Sequence, residues 1–174
     1  RKRILNNHII LNNKVYKIKD VRFIVTTLWT HIPPEHDEQI LLGLNDYSLI
    51  SRTHENGKTI PLDTKDVNQF HEWSKEFISA QLSKPFDGKT VIVSHHLPSF
   101  KCITNRPPYP ELYHAYASDM EDFMKHECIT HWFHGHSHDF FECKIHNTHV
   151  VRNPLGYVAM GDQKDFRRDF VVEV

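Results

Sequence analysis

The stretch Lys89-Thr90-Val91-Ile92-Val93-Ser94-His95-His96 follows an Asp87-Gly88 turn as a short continuous apolar run that ends in two histidines. An apolar run without alternation reads as a strand buried on both faces, which belongs in a sheet covered by helices. A second strand candidate, Ile129-Thr130-His131-Trp132-Phe133, ends at His134-Gly135-His136-Ser137-His138, about forty positions after the first cluster. The loop and helix expected between them return the chain to the same edge of the sheet. Both histidine clusters then fall on one rim, outside the strand ends, where α/β sheets place their sites.

Working outward, Val15 to Lys19 alternates apolar and charged residues, Asp20 breaks it, and Arg22 to Leu28 resumes as a β-branched and aromatic run: two strands and a tight turn. From Thr30 to Pro61 there is little periodicity and several turn signals, so an irregular excursion is expected. Val67, Phe70, Trp73, Phe77 and Ile78 then mark one face of a helix within Pro61 to Leu82. Ser118-Asp119-Met120-Glu121 has capping-box spacing and predicts a further helix carrying Met120, Phe123 and Met124. Phe140 to Ile145, Thr148 to Arg152 and Phe170 to Val174 read as β-rich, with a turn at His146-Asn147. No internal repeat, low-complexity tract or linker marks a second domain, so residues 1–174 read as one α/β domain.

Composition narrows the partners. Lys plus Arg at 21 nearly cancels Asp plus Glu at 22, so no large positive field exists to hold nucleic acid or an anionic membrane. The longest apolar runs fall well short of the roughly 20 residues that span a bilayer. Asn6, Asn7, Asn12 and Asn13 interrupt what would have to be the apolar core of a signal peptide. Cys102, Cys128 and Cys143 are odd in number and lack C-x-x-C spacing, which fits a reducing, cytoplasmic setting. Histidine stands out, with 15 residues. Neutral imidazole is a common ligand for zinc, manganese and iron, and a rim of imidazoles wants carboxylates to complete a hydrolytic centre. Side chains at i and i+2 of an extended backbone share a side. His136 and His138 are therefore expected to grip one ion or two neighbouring ions, with Gly135 removing bulk where the backbone bends close.

Val93-Ser94-His95-His96 with Pro98, Gly135-His136-Ser137-His138 and Asn153-Pro154-Leu155-Gly156-Tyr157 together resemble the calcineurin-like metallophosphoesterase superfamily. Thr27-Leu28-Trp29 ahead of them narrows the resemblance to bacterial-type metallophosphatases, and the likeness runs from about Ile10 to Tyr157. It implies a layered β-sandwich flanked by helices, of which this chain would be the C-terminal two-thirds. It also implies His95 and His136 on one metal and His138 on the other, with His96 behind them and Trp29, Asn153 and Tyr157 around the site or against substrate. The complete domain would hold two divalent or trivalent ions of the manganese, iron or zinc type, and this chain one at most. The implied reaction is hydrolysis of a phosphate ester, on a phosphorylated small molecule or a phosphoprotein.

The family's D-x-H, G-D-x-x-D and G-N-H-[DE] motifs, which supply the acidic ligands and the leaving-group histidine, have no counterpart ahead of His95. Asn6-Asn7-His8 lacks the glycine and the acid, and Gly161-Asp162 follows the histidines instead of preceding them. The N-terminal part of the fold is thus expected to be missing, the leaving-group histidine is unassigned, and the exposed sheet edge would favour self-association. Two other readings stay open: a non-catalytic interaction module, and a mononuclear zinc protein with Cys102 or Asp139 as fourth ligand. Arg106 reads as an exposed loop arginine before a phosphate contact.

Overall fold

A computed structural model describes residues 4–5, 8–9, 11–53, 56–104 and 109–174. Arg106 and the Asn6-Asn7 pair lie outside the described residues. In chain order the strands are β1 Ile4–Leu5, β2 His8–Ile9, β3 Lys14–Ile18, β4 Val21–Val25, β5 Ser51–Thr53, β6 Thr59–Pro61, β7 Lys89–Val93, β8 Ile129–Phe133, β9 Phe141–Ile145 and β10 Thr148–Arg152. The helices are α1 Asp37–Gly43, α2 Asp46–Leu49, α3 Thr64–Leu82 and α4 Tyr113–Tyr116.

One six-stranded sheet, in the order β3-β4-β7-β8-β10-β9, organises the chain. The four central strands run parallel, and an antiparallel strand closes each edge. The register places Val15, Ile24, Ile92, Trp132, Val150 and Cys143 in one row across all six strands. The middle four of these residues are fully buried. Ile78 of α3 and the buried Leu97, Cys102, Ala117, Met120 and Met124 pack with that row in the main core. At about 25 cal/mol per Å² of apolar surface, such a row supplies much of the driving force for folding.

β7 and β8 match the two apolar runs residue for residue; β3 and β4 pair as expected, though β4 stops at Val25 short of Leu28, and β9 and β10 fall within the β-rich segments. Gly88 is required ahead of β7, because a Cβ there would overlap the Asp20 carbonyl oxygen. The fold is mixed α/β. The described residues form one large sheet and two small two-stranded ones, β1-β2 and β5-β6.

Four expectations are corrected. The described part of the Thr30 to Pro61 excursion holds α1, α2 and the paired strands β5 and β6, beside a second small core of Ile32, Ile40, Tyr47, Leu62, Val67, Leu112 and Ala115. Its helices are so short that each buries one residue, Ile40 or Tyr47, which leaves no period to read. Ser118 and Glu121 cap no helix, and only a short 3-10 turn, Phe123–Lys125, follows them. The Ser118 hydroxyl instead accepts from the His31 N–H at 3.0 Å, and Glu121 takes the Ser99 hydroxyl, Lys101 and His146. Phe170 to Val174 joins no strand; Phe170 packs edge-on against Phe140. By contrast α3 starts at a capping box absent from the sequence reading, in which Asp63 accepts from the Asp66 N–H and Asp66 from the Asp63 N–H. Trp73, expected on the buried face of this helix, is half exposed.

Candidate metal centre

All four parallel strands deliver their C-terminal ends to one rim, and each is followed by a segment singled out in the sequence. β4 leads to Thr27-Leu28-Trp29, β7 to Ser94-His95-His96, β8 to His134–His138 and β10 to Asn153–Tyr157. The ladder continues past the strand ends through Thr26 N–H to Val93 O, Ser94 N–H to Phe133 O and His134 N–H to Val151 O. Each loop is therefore pinned at its root. Ser94 adds a further tie: its hydroxyl accepts from the Trp132 indole at 2.9 Å and donates to His96 O at 2.8 Å.

The first loop is held in an uncommon backbone. Leu28 and Trp29 are consecutive left-handed residues (φ 71° and 42°), which costs about 1–2 kcal/mol each for a residue with a Cβ. The conformation leaves the Thr27 carbonyl free to accept both the His95 and His96 N–H groups. It also stacks the Trp29 ring on His96, with 5.2 Å between centroids. Strain of this kind persists where surrounding structure over-determines it, and it clusters at functional sites.

His95 and His136 meet across the rim, with His136 Nδ1 3.2 Å from His95 Nε2. His96 lies buried behind them, its centroid 4.5 Å from that of His136, and its Nδ1 3.3 Å from the Thr27 carbonyl. Burial holds the His95 ring below the usual histidine range and His96 well below it. His136 is pushed down to about 3 by burial first and then by the neighbouring His95 and His138. At neutral pH these are uncharged rings, the ligating form. The 3.2 Å gap suits a shared proton, and it also matches the edge of about 3.3 Å between two nitrogens that each sit about 2.0–2.1 Å from one tetrahedral ion. His136 Nε2, on the other side of the ring from that contact, is buried without a hydrogen bond of good geometry, and the Ala115 carbonyl is the backbone acceptor the ring feels. The donor set thus fits a metal on the His95–His136 side.

His138 departs from expectation. His136 has a left-handed backbone (φ 67°), so the His-x-His segment bends and is not the extended pair the spacing suggested. His138 turns to the C-terminal loop, packs edge-on against Tyr157 with centroids 4.6 Å apart, and bonds Asp162 Oδ2 through Nδ1 at 2.8 Å. Among the described residues, no three His, Cys, Asp or Glu side chains converge on one ion position. A Cβ on Gly135 would make only ordinary contacts, 3.6 Å from His95 Nδ1, so lack of bulk is not its role; its N–H donates to His95 O.

Tyr157 is largely exposed beside His138, whereas the Asn153 amide anchors the chain at Arg167, away from the rings. Neither fourth ligand weighed for a closed zinc site is free. Cys102 is buried in the main core, and Asp139 is gripped by buried Arg152 at 2.8 Å and by Thr104. Sequence reading missed Tyr116, whose ring lies 4.8 Å from His136, and Asp46, whose charge is felt by both His95 and Tyr116. Asp46 was legible only as half of an Asn-Asp turn. Asp162 was set aside because it follows the histidines.

No family model matches the chain. It is similar to an uncharacterized protein of Acanthamoeba polyphaga mimivirus, at 28% identity over 158 residues. The alignment takes in 87% of this chain and 55% of the viral protein, so the chain spans about half the length of the curated relative it matches. Among the described residues, no helix is long and apolar enough to cross a membrane.

Proposed function

We propose that the rim is the imidazole half of a metal-dependent phosphoesterase centre in a metallophosphoesterase-like fold. The observation that carries this reading is the His95–His136 pair: two uncharged imidazoles 3.2 Å apart, at the ends of adjacent parallel strands. His95 and His136 would hold an ion, His138 would face a second one, and His96 would fix the rings from behind. Bound ions would supply positive charge for the phosphate oxygens and acidity for an attacking water. The chain's own residues would orient and enclose: Trp29 and Tyr116 wall the pair, and Tyr157 stands exposed beside His138 to meet substrate. The reading requires acidic ligands besides the histidines, and substrates would be phosphorylated small molecules or phosphoproteins.

The test is a general phosphomonoester and phosphodiester assay with added manganese, on the wild type and on His136→Ala and His138→Ala. Manganese-dependent hydrolysis that both substitutions abolish is expected. Metal uptake with no hydrolysis of either ester would overturn the enzyme reading in favour of an interaction module.

A further inference from the structure

The loop that follows β10 folds back over the histidine rim and ends on a carboxylate with an unusual set of constraints. Asp162 Oδ2 accepts from His138 Nδ1 at 2.8 Å and from the Tyr157 N–H at 3.0 Å. Between them, Gly156 takes a left-handed backbone, φ 68°. A Cβ on Gly156 would overlap the Asp162 Cβ and stand 3.1 Å from the His138 Cβ, so the close approach of the three residues is open only to glycine. Gly161, at φ 81°, then turns the chain so that Asp162 points back toward the rim.

We propose that Asp162 is a positioning residue that fixes the tautomer and orientation of His138. A carboxylate can only accept, so Nδ1 of the neutral ring must carry the proton. Nε2 then presents its lone pair away from the loop. Metal-ligating histidines commonly donate their other N–H to a carboxylate in this way, and loss of that partner typically weakens metal affinity about 10–100-fold. The inference rests on the phosphoesterase reading only for what the presented lone pair binds. The proton's place on the ring stands on the 2.8 Å contact alone.

Long-range nitrogen–proton NMR of the 15N-labelled, metal-free chain reads the tautomer directly. Wild-type His138 is expected as the Nδ1–H form. In Asp162→Asn the amide oxygen still accepts from the Tyr157 N–H, yet the amide group can also donate, so His138 is expected to shift toward the Nε2–H form; Asp165→Asn, a nearby control, leaves it unchanged. Calorimetric titration with zinc is expected to show the 10–100-fold loss for Asp162→Asn alone. An Nε2–H ring in the wild type, or no tautomer change in Asp162→Asn, overturns the proposal. A correct tautomer shift in a chain that binds no zinc leaves the positioning role standing and removes the metal reading instead.

Discussion

His136 owes its place to a backbone that few non-glycine residues adopt: φ near 67° turns its ring out of the strand direction and into the gap beside His95. What holds that bend is buried Arg152, which donates to the Asp139 carbonyl and carboxylate just past the histidines, and to Cys102 O and Thr104 Oγ1 on the other loop. This guanidinium ties the two histidine-bearing loops to each other through four hydrogen bonds. Arg152→Met would leave the Asp139 carboxylate buried without its partner, an arrangement that costs about 3–5 kcal/mol. Urea unfolding should show that loss, and a midpoint unchanged from wild type would mean the contact carries no load. At the other loop root, Trp132→Phe removes the donor to Ser94 Oγ and leaves a cavity where the second indole ring was fully buried; about 2–4 kcal/mol is expected from the same measurement.

Elements were legible in the sequence where one periodicity dominated. β7 buries its three central residues and its bounds follow from that apolar run, whereas β8 buries Ile129 and Trp132 and leaves Thr130, His131 and Phe133 half-buried. The α1–α2 excursion was illegible because each helix is held by a single buried side chain and by the neighbouring loop, not by a pattern of its own. Ser118 and Glu121 misled because the residues that cap helices also make good tertiary partners, and here the long-range partners won. At the site, His95, His96 and His136 were visible as a cluster at strand ends. The turning of His138 was not, because it depends on Asp162, 24 positions downstream. The β10-to-Asp162 loop therefore behaves as one element. Gly156→Ala adds a left-handed penalty of about 1 kcal/mol and an overlap with Asp162. Limited proteolysis should find cleavage between residues 153 and 162 faster in this variant, and equal rates would contradict the close packing.

At the scale of the whole molecule, buried uncharged histidines couple stability to pH. Burial pushes both His134 and His136 down to about 3, whereas an unfolded histidine titrates near 6.5. Between those values the unfolded chain takes up protons that the folded chain refuses. Stability is therefore lost as pH falls from about 6.5 toward 3, by about 1.4 kcal/mol per pH unit for each ring. The urea midpoint of the metal-free chain should drop between pH 7 and pH 5, and His134→Gln should flatten the slope by about one ring's share. A flat profile would mean that these rings are protonated in the folded state. The account as a whole depends on the uncharged pair at the rim being a ligand pair. The most direct test is elemental analysis of the purified chain after equilibration with zinc or manganese, set against His95→Ala and His136→Ala. Near-stoichiometric metal in the wild type, absent from both variants, is the expected result. Equal metal content in all three, or none in any, would contradict it and leave the 3.2 Å contact as a hydrogen bond within an α/β interaction domain.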